Sequence, residues 1–209
     1  LTLFAVFTIL STSLVKPRTF ETCGNDTSFV LAFTVLSKTI VLAGRWNVRF
    51  TIDKVIGDSI MVFFGDPESR GVRSDAVTCV SMAIAMRKAM QDLQLRWHKE
   101  GIERPPALRM GINSGLCKVG NFGTENRLDY TLLGRAVNLA SRLESSAESN
   151  EILLSADTYG LVKDTIHCID KGQISIKGFS EAVNVYSAID LHKHLKADYP
   201  PVAEKQAIA

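Results

Sequence analysis

Hydrophobic and polar positions alternate most clearly along residues 50–67, FTIDKVIGDSIMVFFGDP. Residues 50–56 alternate as a half-buried strand does, and residues 59–64 are rich in β-branched and aromatic side chains. Between them Gly57 precedes Asp58, and glycine in the first position of a two-residue loop favours a type II′ hairpin. The pattern therefore predicts two strands joined by a tight turn, with the carboxylate of Asp58 at its tip.

A helical period follows this hairpin. Apolar residues recur at near-helical spacing from Ala76 to about Trp97, which predicts an amphipathic helix packed on the sheet. Ser74 or Asp75 is expected to cap its first turn. The Pro-Pro pair at 105–106 prevents the helix from continuing.

Shorter patterns predict the rest of the sheet. Residues 107–113 and 116–119 are predicted to form a hairpin that turns at Ser114-Gly115, and residues 128–133 a strand that Gly134 ends. A helix is predicted over 136–147, then a strand at 151–154 and a short helix capped by Ser155. Strand pairs alternating with two packing helices predict an α+β fold, with a mostly antiparallel sheet and helices packed on one face.

Three segments are expected along the 209 residues. Residues 1–49 have no clear period and are expected to be irregular, residues 50–190 form the globular domain, and residues 191–209 form a C-terminal tail. The apolar runs at 1–14 and 29–44 are too short to span a bilayer, so neither is predicted to be transmembrane. Because the chain begins at Leu1 rather than Met, we expect a piece of a longer protein, with any sensor or membrane region upstream.

Charge and cysteine content narrow the function. The net charge is +2 and no Lys/Arg-rich run is present, so no nucleic-acid partner is expected. The four cysteines, at 23, 79, 117 and 168, lack the spacing of a zinc site or a disulfide framework. Such cysteines suit a reducing cytoplasm.

Four motifs together resemble one family. IDKVIGDSIMVFFGDPES, VGNFG, LDYTLLGRAVNLASRLESSAE and ISIKGFS are similar to segments of the class III nucleotidyl cyclases, the adenylate and guanylate cyclase catalytic domains. The resemblance covers roughly residues 50–190 and implies a ferredoxin-like cyclase fold. It also implies an adenylate cyclase that converts ATP to 3′,5′-cyclic AMP and pyrophosphate with Mg²⁺ or Mn²⁺. Members form their sites between two chains, so the resemblance also implies that this chain forms a head-to-tail homodimer.

The resemblance assigns a metal ligand and two purine-binding residues. Asp58 matches the metal-binding carboxylate, although Gly-Asp is also common turn chemistry. Lys54 matches the residue that contacts adenine, but a lysine in an apolar strand can equally be a surface residue with a covered stem. Thr131 matches the second purine-reading position, where its hydroxyl could donate or accept, or be merely structural. Guanylate cyclases typically carry Glu and Cys at these two places, so Lys54 with Thr131 resembles ATP-selective members.

Three further residues match phosphate and ribose contacts of the family. Asn138 and Arg142 are four apart and share one helical face, which without the resemblance is also typical of an exposed polar surface. In the family the Asn orients the ribose, and the Arg, a permanently charged fork of donors, stabilises charge on the reacting phosphate. Lys177 matches the lysine that binds the triphosphate. Without the resemblance, Lys177 would be interpreted as an exposed loop residue.

One family motif is absent. Members begin with a strand containing F-x-D-I-x-x-F-T, whose first Asp is the second metal ligand, and residues 1–49 lack it. Thr8 to Lys16 can be encoded by codons that spell D-I-V-D-F-T-S-E in another frame, so we hypothesise a frameshift that replaces the first strand and helix. The alternative function is a cyclase-like module that binds nucleotide or dimerises without turnover.

Overall fold

The structure is a computed structural model that describes residues 2–12, 50–56, 59–103, 105–124, 127–179 and 181–198. These residues contain eight strands and four helices. The strands are β1 (Thr2–Thr12), β2 (Thr51–Ile56), β3 (Ser59–Phe64), β4 (Ala107–Thr124), β5 (Arg127–Leu133), β6 (Ile152–Ser155), β7 (Ile166–Ile174) and β8 (Val183–Leu191). The helices are α1 (Val72–Lys99), α2 (Arg135–Ser146), α3 (Ala156–Val162) and α4 (His192–Asp198).

Seven strands form a sheet in the order β2-β3-β1-β4-β6-β8-β7, and β5 pairs with the far half of β4. Every pairing is antiparallel except that of β4 with β6. The predicted α+β fold with a mostly antiparallel sheet is thus confirmed. Within the described ranges, no helix combines the length and apolar character that crossing a membrane requires.

Strand β1 corrects the expectation that residues 1–49 are irregular. Residues 2–12 form a central strand, where Ala5 lies opposite Phe64 of β3 on one side and Ser114 of β4 on the other. Their sequence, TLFAVFTILST, is a nearly continuous apolar run. Such a run without alternation is typical of a strand covered on both faces. Residues 13–49 lie outside the described part of the chain.

Strand β4 runs without a break through the predicted Ser114-Gly115 turn, so that prediction is wrong. A Cβ on Gly115 would lie 2.6 Å from the Cβ of Ala136 on α2. The buried Ser114 hydroxyl accepts a hydrogen bond from Thr158 of α3 at 3.1 Å. Gly115 therefore permits a close approach of helix and strand instead of a change of chain direction.

The helices lie on both faces of the sheet, which corrects the expectation of helices on one face. On β6, Ile152 and Leu154 belong to the core beneath α1, whereas Leu153 belongs to the core beneath α2. All four residues of β6 are buried. A strand without polar alternation is the expected consequence of cover on both sides.

The helix ends test three further predictions. Ser155 accepts a hydrogen bond from the backbone N–H of Thr158 at 3.3 Å, which confirms it as a cap. Helix α1 starts earlier than predicted, after Gly71 and with no side-chain cap, so the capping role of Ser74 or Asp75 is wrong. The tail predicted from residue 191 in fact continues as helix α4, and residues 199–209 lie outside the described part.

Candidate functional site

Lys54 lies in a cavity between β2 and β5. The cavity has a volume of about 420 Å³ and is lined by Asp53, Lys54, Val55, Ile56, Leu128, Asp129 and Tyr130. Small-molecule sites are commonly a few hundred Å³ with a few convergent polar groups. Lys54 is half-buried and lines this cavity together with two carboxylate residues, Asp53 and Asp129.

A β-bulge brings a second charge into this cavity. Ile52 pairs with Val62 and Lys54 with Met61, so Asp53 is the extra residue of β2. Regular alternation would direct Asp53 and Lys54 to opposite faces, but a bulge re-aims the side chains around it. Asp53 was not predicted as a site residue from the sequence. The feature that could have indicated it is its position directly before the candidate lysine, Lys54.

Asp53 connects β2 to β5 beside the predicted purine residue Thr131. Its Oδ1 accepts a hydrogen bond from the backbone N–H of Leu132 at 3.3 Å. Its Oδ2 and the Thr131 hydroxyl are both buried, and neither has a hydrogen-bond partner among the described residues. Thr131 is 3% exposed and is absent from the cavity lining. Buried polar atoms are normally paired, so these two atoms need an explanation.

Tyr130 holds the outer wall of the cavity. Its hydroxyl donates to the Asp66 carboxylate at 2.5 Å, and that hydrogen bond is the main reason that the pKa of Tyr130 is raised. The Thr51 hydroxyl donates to the Asp66 carbonyl at 2.9 Å. The turn that follows β3 thus contacts both β2 and β5 through Asp66.

Helix α2 carries Asn138 and Arg142, both exposed and one turn apart. The helix is seated directly on β4, where the Asn113 side-chain amide donates to the Ala136 carbonyl at 2.9 Å. A Cβ on Gly111 would overlap the helix backbone at Ala140 and Glu144. These contacts fix the height of α2 above the sheet and hence the position of its polar face.

The second half of α2 is held by an ion pair. Glu144 is 5% exposed and lies 3.3 Å from the guanidinium of Arg109 on β4. A buried carboxylate needs such compensation for its lost hydration. Both ends of α2 are therefore anchored to the same strand.

Lys177 lies exposed in a turn that packs against α2. Ile176, 4% exposed, joins the core beneath α2, and its carbonyl accepts from the Phe179 N–H at 3.0 Å. Gly178 between them has φ +89°, a conformation that favours glycine. The Phe179 ring lies under the guanidinium of Arg135, the first residue of α2. The structure thus brings the Lys177 turn to the helix of Asn138 and Arg142.

Asp58 lies outside the described residues. The register of β1 places residues 8–10 opposite residues 59–61, next to Asp58, but residues 2–12 contain no Asp or Glu. In the described part of the chain, no three His, Cys, Asp or Glu side chains are grouped to hold a metal ion. Residues 2–12 therefore supply no carboxylate that could bridge two metal ions.

A larger cavity, of about 660 Å³, lies between α1 and the end of the described chain. None of the predicted site residues lines it. Beside it Asp190 contacts the Lys88 ammonium at 2.5 Å and the His194 ring at 2.9 Å. Burial alone would raise the pKa of Asp190, but hydrogen bonds from Lys88, His194 and the Leu191 N–H lower it to about 2.

Comparison with known proteins gives one consistent family. Residues 47–189 match the model of the adenylate and guanylate cyclase catalytic domain. The terminal-differentiation specific adenylate cyclase of Dictyostelium discoideum is 35% identical over 66% of this chain and 6% of that protein. Guanylate cyclase 32E of Drosophila melanogaster is 37% identical over 60% of this chain and 10% of that protein. The chain thus spans a small part of these curated relatives.

Comparison with solved structures indicates the same family. The crystal structure of the adenylyl cyclase CyaB from P. aeruginosa is 46% identical, with a TM-score of 0.80 over 90% of this chain and 94% of that one. The guanylate cyclase domain of RhGC from Catenaria anguillulae, in complex with GTP, shares the fold at 22% identity and a TM-score of 0.74, over 91% of this chain and 97% of that one. The chain therefore belongs to the family of adenylate and guanylate cyclase catalytic domains.

Proposed function

We propose that this chain is an adenylate cyclase domain that converts ATP to 3′,5′-cyclic AMP and pyrophosphate. The observation that carries the proposal is the position of Lys54, half-buried in a cavity bordered by the strand of Thr131. An ammonium only donates hydrogen bonds. The ring nitrogen at position 1 of adenine accepts a hydrogen bond, whereas that of guanine carries a proton, so Lys54 favours adenine.

The residues of α2 and of the Lys177 turn would serve the reaction. The ribose 3′-hydroxyl attacks the α-phosphorus in line and loses its proton to solvent, a new P–O bond forms, and the bond from the α-phosphorus to the bridging oxygen of the β-phosphate breaks to release pyrophosphate. Asn138 orients the ribose, Arg142 stabilises the negative charge that develops on the α-phosphate, and Lys177 holds the leaving pyrophosphate. Asn138 and Arg142 lie on α2 and the Lys177 turn packs against it, which supports this assignment of roles.

The catalytic domains of this family generally use divalent metal ions. Mg²⁺ or Mn²⁺, when bound, would lower the pKa of the ribose hydroxyl and neutralise phosphate charge. We infer that Asp58 is the carboxylate this chain offers to the metal. Because residues 2–12, which pair with the strand that follows Asp58, contain no Asp or Glu, we assign no reaction step to the metal.

We also propose that the domain works as a head-to-tail homodimer. Exposed apolar side chains lie along β2 and along the paired strands β4 and β5, namely Ile52, Val55, Ile56, Leu116, Leu128 and Leu133. Such apolar surface is typical of an interaction site. In this arrangement Asp58 of one chain would meet Asn138 and Arg142 of the other.

The substrate assignment is tested by the identity of the product. The purified chain is incubated with Mn²⁺ and either ATP or GTP, and both cyclic nucleotides are quantified by mass spectrometry. Cyclic AMP formed faster than cyclic GMP would support the proposal. Cyclic GMP as the main product would show a guanylate cyclase instead.

The second candidate is a module that binds nucleotide or dimerises without turnover. The observation in its favour is that β1, which pairs with β3, carries no carboxylate. This module would bind ATP and form no cyclic nucleotide. A variant with D-I-V-D-F-T-S-E in place of residues 8–16 and a rebuilt first helix separates the two, because turnover by that variant alone would mark the given chain as an impaired cyclase.

A further inference from the structure

We propose that Asn113 is a positioning residue for the cyclisation of ATP, and that the chain keeps an amide at this buried place at a cost to its stability. The inference rests on the proposed function. Asn113 lies on β4 beneath α2 and is assigned no contact with the nucleotide. It acts through Asn138 and Arg142, the two residues of α2 to which the reaction is assigned.

Asn113 contacts the first turn of α2. Its side-chain amide donates to the Ala136 carbonyl at 2.9 Å, and Asn113 is 2% exposed. Ala136 is the second residue of α2 and comes two residues before Asn138. A hydrogen bond depends on angle as well as distance, so this contact fixes the rotation of the first turn about the helix axis. An apolar contact has no such direction.

Gly115 lies against the same residue of α2. It follows Asn113 by two positions on β4, so both residues face the same side of the sheet. A Cβ on Gly115 would lie 2.6 Å from the Cβ of Ala136. Ala136 is therefore a point of close approach at which β4 determines where α2 lies.

The helix itself does not need the amide of Asn113. Inside an α-helix a carbonyl accepts from the N–H four residues later, which for Ala136 is the N–H of Ala140. Both residues belong to α2, so Asn113 adds a second donor to a carbonyl that has one from the helix. The amide therefore affects how α2 lies on β4 and not whether α2 forms.

The other half of the Asn113 amide is unpartnered. Its Oδ1 is buried and has no hydrogen-bond partner within the described ranges of the chain. A buried polar atom without a partner lowers the free energy of unfolding relative to an apolar side chain of similar shape. An apolar residue would therefore serve stability better, and what the amide contributes in return is the placement of α2.

Two substitutions separate this role from stability. Asn113→Leu and Asn113→Ala both remove the donor to Ala136, but leucine fills the space of the amide and alanine leaves a cavity. Asn113→Leu also removes the unpartnered oxygen, so it should unfold at the same urea concentration as the unaltered chain or a higher one. Asn113→Ala should unfold at a lower concentration.

The test is the rate of cyclic AMP formation from ATP and Mn²⁺ by the full chain, with kcat and KM determined for each variant. We expect both variants of Asn113 to lower kcat about ten- to hundredfold, as expected when a group that acts in the transition state is misplaced. The KM for ATP should stay within about twofold, because contacts with bound ATP outside α2 remain.

Ser114→Ala is the matched control. Ser114 is the next residue of β4, is 3% exposed and faces the opposite side of the sheet. It accepts a hydrogen bond from Thr158 of α3 at 3.1 Å. Ser114→Ala should lower stability as Asn113→Ala does, and it should leave kcat unchanged.

Three results would overturn the inference. The first is an unchanged kcat in Asn113→Leu, and the second is a kcat that falls in Ser114→Ala as far as in Asn113→Ala. In both cases cyclic AMP from the unaltered chain would leave the proposed function standing. The third is an unaltered chain that forms no cyclic AMP, which would overturn the proposed function and the inference with it.

Discussion

The guanidinium carbon of Arg135 lies 4.9 Å from the centroid of the Phe179 ring. This contact joins the first residue of α2 to the turn that carries Lys177. Because Asn138 and Arg142 lie on the same helix, the groups proposed to bind phosphate and ribose share one support. The position of Lys177 should therefore depend on a contact that is not itself with the nucleotide.

Phe179→Leu removes the ring and keeps an apolar side chain. A cation–π contact at a partly exposed site contributes about 0.5–1 kcal/mol, so we expect ATP affinity to fall about two- to fivefold. Calorimetric titration with ATP measures this change, and Phe179→Tyr, which keeps a ring, should bind ATP as the unaltered chain does. Equal affinity in Phe179→Leu, alongside a clear loss in Lys177→Ala, would show that the turn is positioned in another way.

Gly111 is predicted to tolerate no side chain. A Cβ there would overlap the backbone of α2 at Ala140 and Glu144, and backbone cannot move aside as a flexible side chain can. We expect Gly111→Ala to lower the free energy of unfolding by about 3 kcal/mol or more. The matched control is Gly160→Ala in α3, where a Cβ meets nothing within 4 Å.

Gly160→Ala should stabilise the chain by about 0.5–1 kcal/mol, because alanine loses less backbone freedom in a helix. Urea unfolding followed by circular dichroism measures both variants. If Gly111→Ala is as stable as the unaltered chain, α2 does not sit on β4 at the observed height.

Asp190 predicts a pH dependence of stability. Its pKa is about 2 in the folded chain, below its ordinary value of 3.8, so it stabilises the fold above pH 4, and this contribution is lost as pH falls through about 2. Since the partner Lys88 is 48% exposed, solvent screening limits the effect to about 1 kcal/mol. Asp190→Asn should thus be less stable than the unaltered chain at pH 7 and equally stable near pH 2.

Thermal unfolding of both proteins between pH 2 and 7 makes this comparison. A stability difference that stays constant across the range would mean that packing at position 190, and not the ionised carboxylate, is responsible.

The proposed homodimer predicts complementation. Asp58→Ala and Arg142→Ala should each lack activity, but in a head-to-tail dimer the mixed species contains one intact site. Equal mixing makes about half of the dimers mixed, so about one quarter of the unaltered activity should return. Each variant alone is the control, and a mixture as inactive as its components would place the whole site within one chain.

The sequence predicted most of the elements that alternate regularly. The hairpin strands, the helix of Asn138 and the cap at Ser155 follow from local patterns and agree with the structure. The resemblance to cyclases added the roles of the site residues, which periodicity cannot supply.

The features that the sequence did not predict share one physical cause, which is contact with distant parts of the chain. Residues 2–12 form a central strand between β3 and β4, and Gly115 accommodates Ala136 and does not turn the chain. Asp53 lines the Lys54 cavity only because β2 bulges against β3. None of these contacts can be read from the local pattern, since each depends on an element far away in the sequence.

We expect the residues of α2 to support the cyclisation of ATP by this chain. The decisive experiment is the rate of cyclic AMP formation from ATP and Mn²⁺, measured for the unaltered chain and for Arg142→Ala. The unaltered chain should form measurable cyclic AMP, and the variant should form it about 10²–10³-fold more slowly, as expected when a donor to transition-state charge is removed. Cyclic AMP formed at the same rate by both proteins would contradict this expectation.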